Sequence, residues 1–143
     1  MTTDIDIAAL ATELRTLVGR MKRRLREQGF VGDLTPSQIA AIQRLERDGP
    51  ATVSNLARAE AMRPQSMGAI VAVLEASGLV EGAPDPQDGR QTLISLTPLC
   101  VDKLARGRAA RQDWLTRQLE RLSPEDQARL AAATAILHRL SES

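Results

Sequence analysis

Aromatic side chains are almost missing from this chain of 143 residues: there is no tyrosine, and Phe30 and Trp114 stand alone. A core must therefore be assembled from Leu, Ile, Val, Met and Ala, and segments rich in Ala and Leu favour helix. With Cys100 as its one cysteine the chain cannot form an internal disulfide, which points to a reducing cytoplasm. The one histidine, His138, lies late in the chain, and there is no glycine-rich phosphate loop. Metal ligation, nucleophilic catalysis and cofactor binding therefore lack their residues, and no catalytic, cofactor or metal site is assigned. Long apolar runs are missing too. The longest, Ala69 to Leu74, is far short of the ~20 residues needed to cross a bilayer. Asp4 and Asp6 stand where a signal peptide would be basic. Excess charge of one sign is the last absence: the net charge is +1, so any affinity for nucleic acid must come from where the charges sit.

What is present is helical periodicity with clear punctuation. Over about 4–27, Leu10, Leu14, Leu17, Val18, Met21 and Leu25 share one face, and the second half is basic with Arg20, Lys22, Arg23, Arg24 and Arg26. Thr35-Pro36-Ser37-Gln38 reads as a capping box with proline in the first turn, opening a helix that stops at Asp48-Gly49-Pro50. Thr52 caps a short helix with Val53, Leu56 and Ala57 inward, ending near Ala61-Met62. Pro64 opens another that buries Met67, Ile70, Val71 and Leu74 and stops at Gly78. Two helices joined by a tight turn make a helix-turn-helix. The period then switches to that of strands at Leu79-Val80-Glu81 and Thr92–Leu96, around a polar turn from Ala83 to Arg90. This hairpin is a wing. Thr97-Pro98 caps a long helix to about Arg121, and Ser123-Pro124 opens a last one carrying Leu130, Ala133, Leu137 and Leu140 on one stripe. The expected fold is mainly α: a single domain, 1–143, with a winged helix-turn-helix over 34–97 and long terminal helices over 4–27 and 98–141.

Over nearly its whole length this order resembles the MarR (multiple antibiotic resistance regulator) family. The residues that carry the resemblance are Leu34-Thr35 with Gln38, Val53-Ser54-Asn55-Leu56-Ala57, Pro64, and Leu74-Glu75 to Gly78-Leu79-Val80. The most specific is the wing, Asp85-Pro86-Gln87-Asp88-Gly89-Arg90, running into Leu96-Thr97, and Leu122-Ser123-Pro124-Glu125 resembles the usual start of the final helix. The resemblance implies a transcriptional repressor, not an enzyme, that binds double-stranded DNA as a homodimer on a near-palindromic operator. The second helix of the pair would enter the major groove tip first, presenting Arg63, Pro64, Gln65, Ser66 and, one turn on, Ala69. Gln65 suits adenine, Ser66 a base edge or phosphate, and Ala69 a thymine methyl. Arg90 would enter the minor groove, with Asp88 pairing to it or holding the hairpin. Backbone N–H groups near Thr52 and Pro36 would hold phosphates.

The sequence departs from the family pattern at two places. Ala69 stands where many members carry a basic residue, and Gly82 replaces the arginine often found after the first wing strand. Between Pro50 and Thr97 the bases Arg58, Arg63 and Arg90 face the acids Glu60, Glu75, Glu81, Asp85 and Asp88, a negative balance. The basic run of the first helix either compensates with positive field or is a solvated helix end. A winged helix kept for protein contacts, with DNA binding lost, is the alternative function. For the dimer, Ile5, Leu10, Leu14, Trp114, Leu130, Leu137 and Leu140 are expected to interlock with a second copy. A small aromatic effector is implied by the resemblance, in a pocket between the winged region and the dimer helices. Trp114 either lines that pocket or belongs to the dimer core. Cys100, just inside a helix start, is either a reactive thiol or a small buried one.

Overall fold

The computed structural model describes residues 3–143. Six helices, one 3₁₀ turn and a two-stranded sheet follow one another as α1 (Ile7–Arg26), the 3₁₀ turn (Phe30–Asp33), α2 (Pro36–Asp48), α3 (Val53–Ala59) and α4 (Pro64–Ala76), then β1 (Val80–Pro84), β2 (Thr92–Leu96), α5 (Pro98–Glu120) and α6 (Pro124–Ser141).

The helix starts are fixed by side chains that accept from otherwise unpaired backbone N–H groups. Thr35 and Gln38 form the reciprocal capping box, at 3.2 and 3.0 Å. Thr52 accepts from Asn55 N–H, and Ser123 from Asp126 N–H, each at 3.1 Å. Thr97 does two tasks. Its oxygen accepts from Cys100 N–H at 3.1 Å, and its hydroxyl donates to the Gly78 carbonyl at 2.6 Å, tying the start of α5 to the end of α4.

Three boundaries differ from the sequence reading. Asp6 takes the α1 cap, accepting from Ala9 N–H at 3.1 Å, so the helix begins at Ile7 and not near residue 4. The third helix closes at Ala59, earlier than Ala61-Met62. Ala61 takes a left-handed φ of 53°, and Met62 N–H donates back to the Ala57 carbonyl at 2.8 Å. Strand β1 runs on through Gly82 and Ala83 to Pro84, which pairs with Thr92. Those three residues are poor strand formers and join the ladder because β2 is there to pair with. A side chain at Gly82 would also meet Thr92 Cγ2 at 2.9 Å. Ala51, without a role in the sequence reading, bridges the other edge of β2, exchanging hydrogen bonds with Ile94 at 3.0 and 2.7 Å. The start of α3 is thereby fastened to the root of the wing.

One core lies under the helix-turn-helix and the wing. It takes Ala41, Ile42 and Leu45 from α2, Leu56 and Ala57 from α3, and Met67, Val71 and Leu74 from α4, closed by Leu79, Val80, Ile94, Cys100 and Leu104. No polar side chain is buried with them among the described residues. Val53 and Ile70, expected inward, are half-buried at its margin.

The terminal helices bury nothing of their own: neither α1 nor α6 has a buried residue. The end of α1 meets α5 where Gly29 lies against Gly107, so close that a Cβ on Gly29 would stand 3.0 Å from Gly107 Cα. Both aromatic rings flank this crossing. The Arg24 guanidinium sits 5.5 Å over the Trp114 ring, and the Lys103 ammonium 5.7 Å from the centre of Phe30.

Candidate nucleic-acid interface

The tip of α4 is built to be bare. Arg63 is its N-cap in extended conformation and makes no side-chain cap bond, while Pro64 supplies the fixed φ of the first turn. Arg63, Pro64, Gln65, Ser66 and Ala69 are all exposed, because Met67, Val71 and Leu74 turn the opposite face into the core. The first-turn N–H groups of α4 therefore point outward with no side chain of their own cap to satisfy them.

Beside the turn that leads into this tip lies a contact the sequence reading missed. Arg44 of α2 donates through Nε to Glu60 Oε1 at 3.0 Å and reaches Asp48 at 3.4 Å. Glu60 caps α3 just before the turn into α4, and both Arg44 and Glu60 are largely covered, at 27% and 22% exposure. Sixteen residues separate them, and no local pattern announces such a pair.

In the wing, one carboxylate oxygen sets the arginine. Asp88 Oδ1 accepts from Arg90 N–H and from Arg90 Nε, both at 3.2 Å, while the Asp88 carbonyl accepts from Gln91 N–H at 3.0 Å. Asp85 closes the loop from the other side: its N–H donates to the Gln91 carbonyl, and its Oδ1 accepts from Gln87 N–H, each at 2.9 Å. Asp88 thus both pairs with Arg90 and holds the hairpin. The Arg90 side chain remains 93% exposed. As an exposed ion pair this adds well under ~1 kcal/mol to stability, so its consequence is direction more than strength.

Thr52 is half-buried, its oxygen engaged by Asn55, and it opens α3 beside the bridge from Ala51 to the wing strand. The α4 tip and the wing leave the same core, since β1 follows α4 directly and packs against it.

The five cations of the α1 basic run are all exposed, and three of them, Lys22, Arg24 and Arg26, border the rest of the fold. Arg24 lies over Trp114 and pairs with Glu27 at 3.3 Å. Lys22 and Arg26 face Arg108 and Arg111 of α5 across an open cleft of about 500 Å³ between α1, α2 and α5. Its floor is apolar, with Ile39 and Leu104, and one acid, Glu46, bonds Arg108 at 3.0 Å. The cleft lies where the winged region meets the long helices. Trp114 is not among its lining residues, because Arg24 covers the ring farther along α5.

Cys100 is fully buried, and this burial, with Glu46 nearby, pushes its thiol above the ordinary value of 9.0. The helix-start effect that would activate it is overridden. A neutral thiol is favoured in the fold, so its contribution to stability is whole below that ordinary value and is lost as pH climbs through the raised one. Iodoacetamide in mildly alkaline buffer is expected to leave Cys100 untouched until denaturant is added. Rapid stoichiometric labelling of the folded protein would show the thiol to be open.

Among the described residues no three His, Cys, Asp or Glu side chains are grouped to hold a metal. No helix there is long and apolar enough to cross a membrane.

Comparison with known proteins agrees with this architecture. The MarR family model matches residues 32–91, from within the 3₁₀ turn to the end of the wing's turn. An uncharacterised HTH-type transcriptional regulator of Mycobacterium leprae is 36% identical over 137 residues, covering 95% of this chain and 96% of that one. A second, from Mycobacterium bovis, is 35% identical over 130 residues and 91% of each chain. In fold the chain is similar to a Staphylococcus aureus MepR mutant bound to an oligodeoxyribonucleotide, with a TM-score of 0.74 over 96% of this chain and 99% of that one at 20% identity. With a bare helix tip and an arginine-bearing hairpin on one core, and relatives of this kind along almost its full length, the chain belongs to the MarR family of winged helix-turn-helix transcriptional regulators.

Proposed function

We propose that the chain acts as a homodimeric repressor on a near-palindromic operator, with the α4 tip in the major groove and Arg90 in the minor groove. The observation that carries this reading is the wing: Arg90 is almost wholly exposed, yet its Nε is bonded to the same Asp88 oxygen that holds its backbone N–H. A narrow minor groove concentrates negative potential, and a guanidinium already biased in direction enters it with less loss of freedom. Gln65 and Ser66 then read base edges, Arg63 reaches phosphate, and the N–H groups beside Thr52 and Pro36 take the backbone.

Dimerisation explains the long helices. Leu10, Leu130, Leu137 and Leu140 are between 40% and 57% exposed in the single chain, while Leu14 and Trp114 are half-buried. So much apolar surface on two terminal helices calls for a second copy. Two heads related by a dyad would meet half-sites about 34–36 Å apart. The cleft fits a small aromatic acid, whose ring would lie on Ile39 and Leu104 while Lys22, Arg26, Arg108 and Arg111 take its carboxylate.

The negative balance of the segment between Pro50 and Thr97 favours a second reading, a winged helix used for protein contacts. A salt titration with operator-bearing duplex separates the two. For the regulator, log affinity falls linearly with log salt, by about 0.9 per phosphate held. Absence of binding in dilute buffer would leave the second reading standing.

A further inference from the structure

The outward face of α4 beyond its first turn has an unusual make-up. Helical spacing places Gln65, Ala69, Ala72, Val73 and Ala76 opposite the buried Met67, Val71 and Leu74. All five are exposed, Val73 at 51%. After Gln65 and Ser66 this face offers neither donor nor acceptor. The only charge in the helix, Glu75, stands to one side of it. Gly68, seven residues before Glu75 on that flank, has nothing within 4 Å of where a side chain would begin, so the helix is shallow beside the face as well.

We propose that this face reads thymine: Ala69, with Ala72 and Val73 behind it, packs against the C5-methyl groups of thymines in each half-site, while Gln65 takes an adjoining adenine. The inference rests on the DNA-binding reading above and says what that surface recognises. In the major groove guanine shows two acceptors, cytosine a donor, adenine one of each, and thymine an acceptor beside a methyl group. A wall of methyl groups pressed on cytosine or guanine would strip water from polar edges and return no hydrogen bond, which is costly. Thymine alone gives this wall an apolar partner. The side chains are short, so the helix can lie close to the bases without a long residue holding it off. The face is continuous with the tip residues Gln65 and Ser66, which makes duplex DNA the occupant to test.

The test begins with full-length protein and a random-sequence duplex pool. Selected half-sites are expected to share thymines beside an adenine. The selected duplex is then synthesised with thymine or with uracil, which differ only in the methyl group. Uracil should weaken binding about fourfold per contacted thymine, the factor equivalent to about 0.8 kcal/mol for one buried carbon. The salt dependence should stay the same, because phosphate contacts are untouched. In Ala69→Gly the thymine-to-uracil ratio should shrink toward one. Any loss of helix stability in that variant affects both duplexes alike and cancels in the ratio. Equal affinity for the thymine and uracil duplexes, or selected sites without shared thymines, overturns the inference and leaves DNA binding intact. Recovery of no duplex at all overturns both, and the face would then belong to a protein partner.

Discussion

Arg90→Ala is expected to weaken operator binding at least about tenfold, ~1.4 kcal/mol, and to leave the fold and the dimer unchanged. The side chain is 93% exposed and supports no part of the core, so its loss costs the free protein almost nothing. In the complex it would be a desolvated charge in a narrow groove, where attraction to the phosphates is strongest. Asp88→Ala should cost less, a few-fold, because it frees the guanidinium without removing it. Lysine at position 90 should recover only part of the loss, since it keeps the charge without the fork that Asp88 aligns through Nε. Affinities measured by anisotropy at one fixed salt concentration decide the matter. Wild-type affinity in Arg90→Ala would mean that the wing does not touch DNA.

A larger effect is expected from the stem. Leu137→Glu combined with Leu140→Glu places two carboxylates on the α6 stripe. Both leucines are exposed in the single chain, at 42% and 57%, so an isolated protomer should keep its helical content. In a dimer the same positions would be covered, and an unpaired buried carboxylate costs several kcal/mol. The mass by light scattering should therefore halve. Operator affinity should fall at least about a hundredfold, ~2.8 kcal/mol, since each half-site must then be held alone. An unchanged mass would place the dimer contact elsewhere.

The sequence shows the helix starts well because their chemistry is local. Thr35, Thr52, Thr97 and Ser123 each bond an N–H three residues on, and each was legible from its own neighbours. Asp6 does the same for Ala9, yet no proline follows it and the apolar stripe begins only at Leu10, so the sequence reading named no cap there. The wing tip was legible for a like reason, since Asp88 and Arg90 are two residues apart. What stayed hidden depends on distant partners. Gly82, Ala83 and Pro84 become strand only because Thr92 to Ile94 lie opposite, and Ala51 acquires a role only from Ile94. The Arg44–Glu60 pair and the cleft joining Lys22 and Arg26 to Arg108 and Arg111 exist only once three helices have met. The basic run of α1 read equally well as a source of positive field and as a solvated helix end; its cations are all exposed, and the neighbours that Lys22, Arg24 and Arg26 find on α5 were invisible in the sequence.

The enclosure of Cys100 makes the molecule a convenient ruler. Its sole thiol is sealed by Leu79, Leu104 and their neighbours, so a reporter group attached at Gln87→Cys on the hairpin would go there and nowhere else while the protein stays folded. In a dyad-related pair the two reporters would give a single distance, that between opposite wing tips. How far that distance changes when an aromatic acid is added could then be followed without first removing a native cysteine.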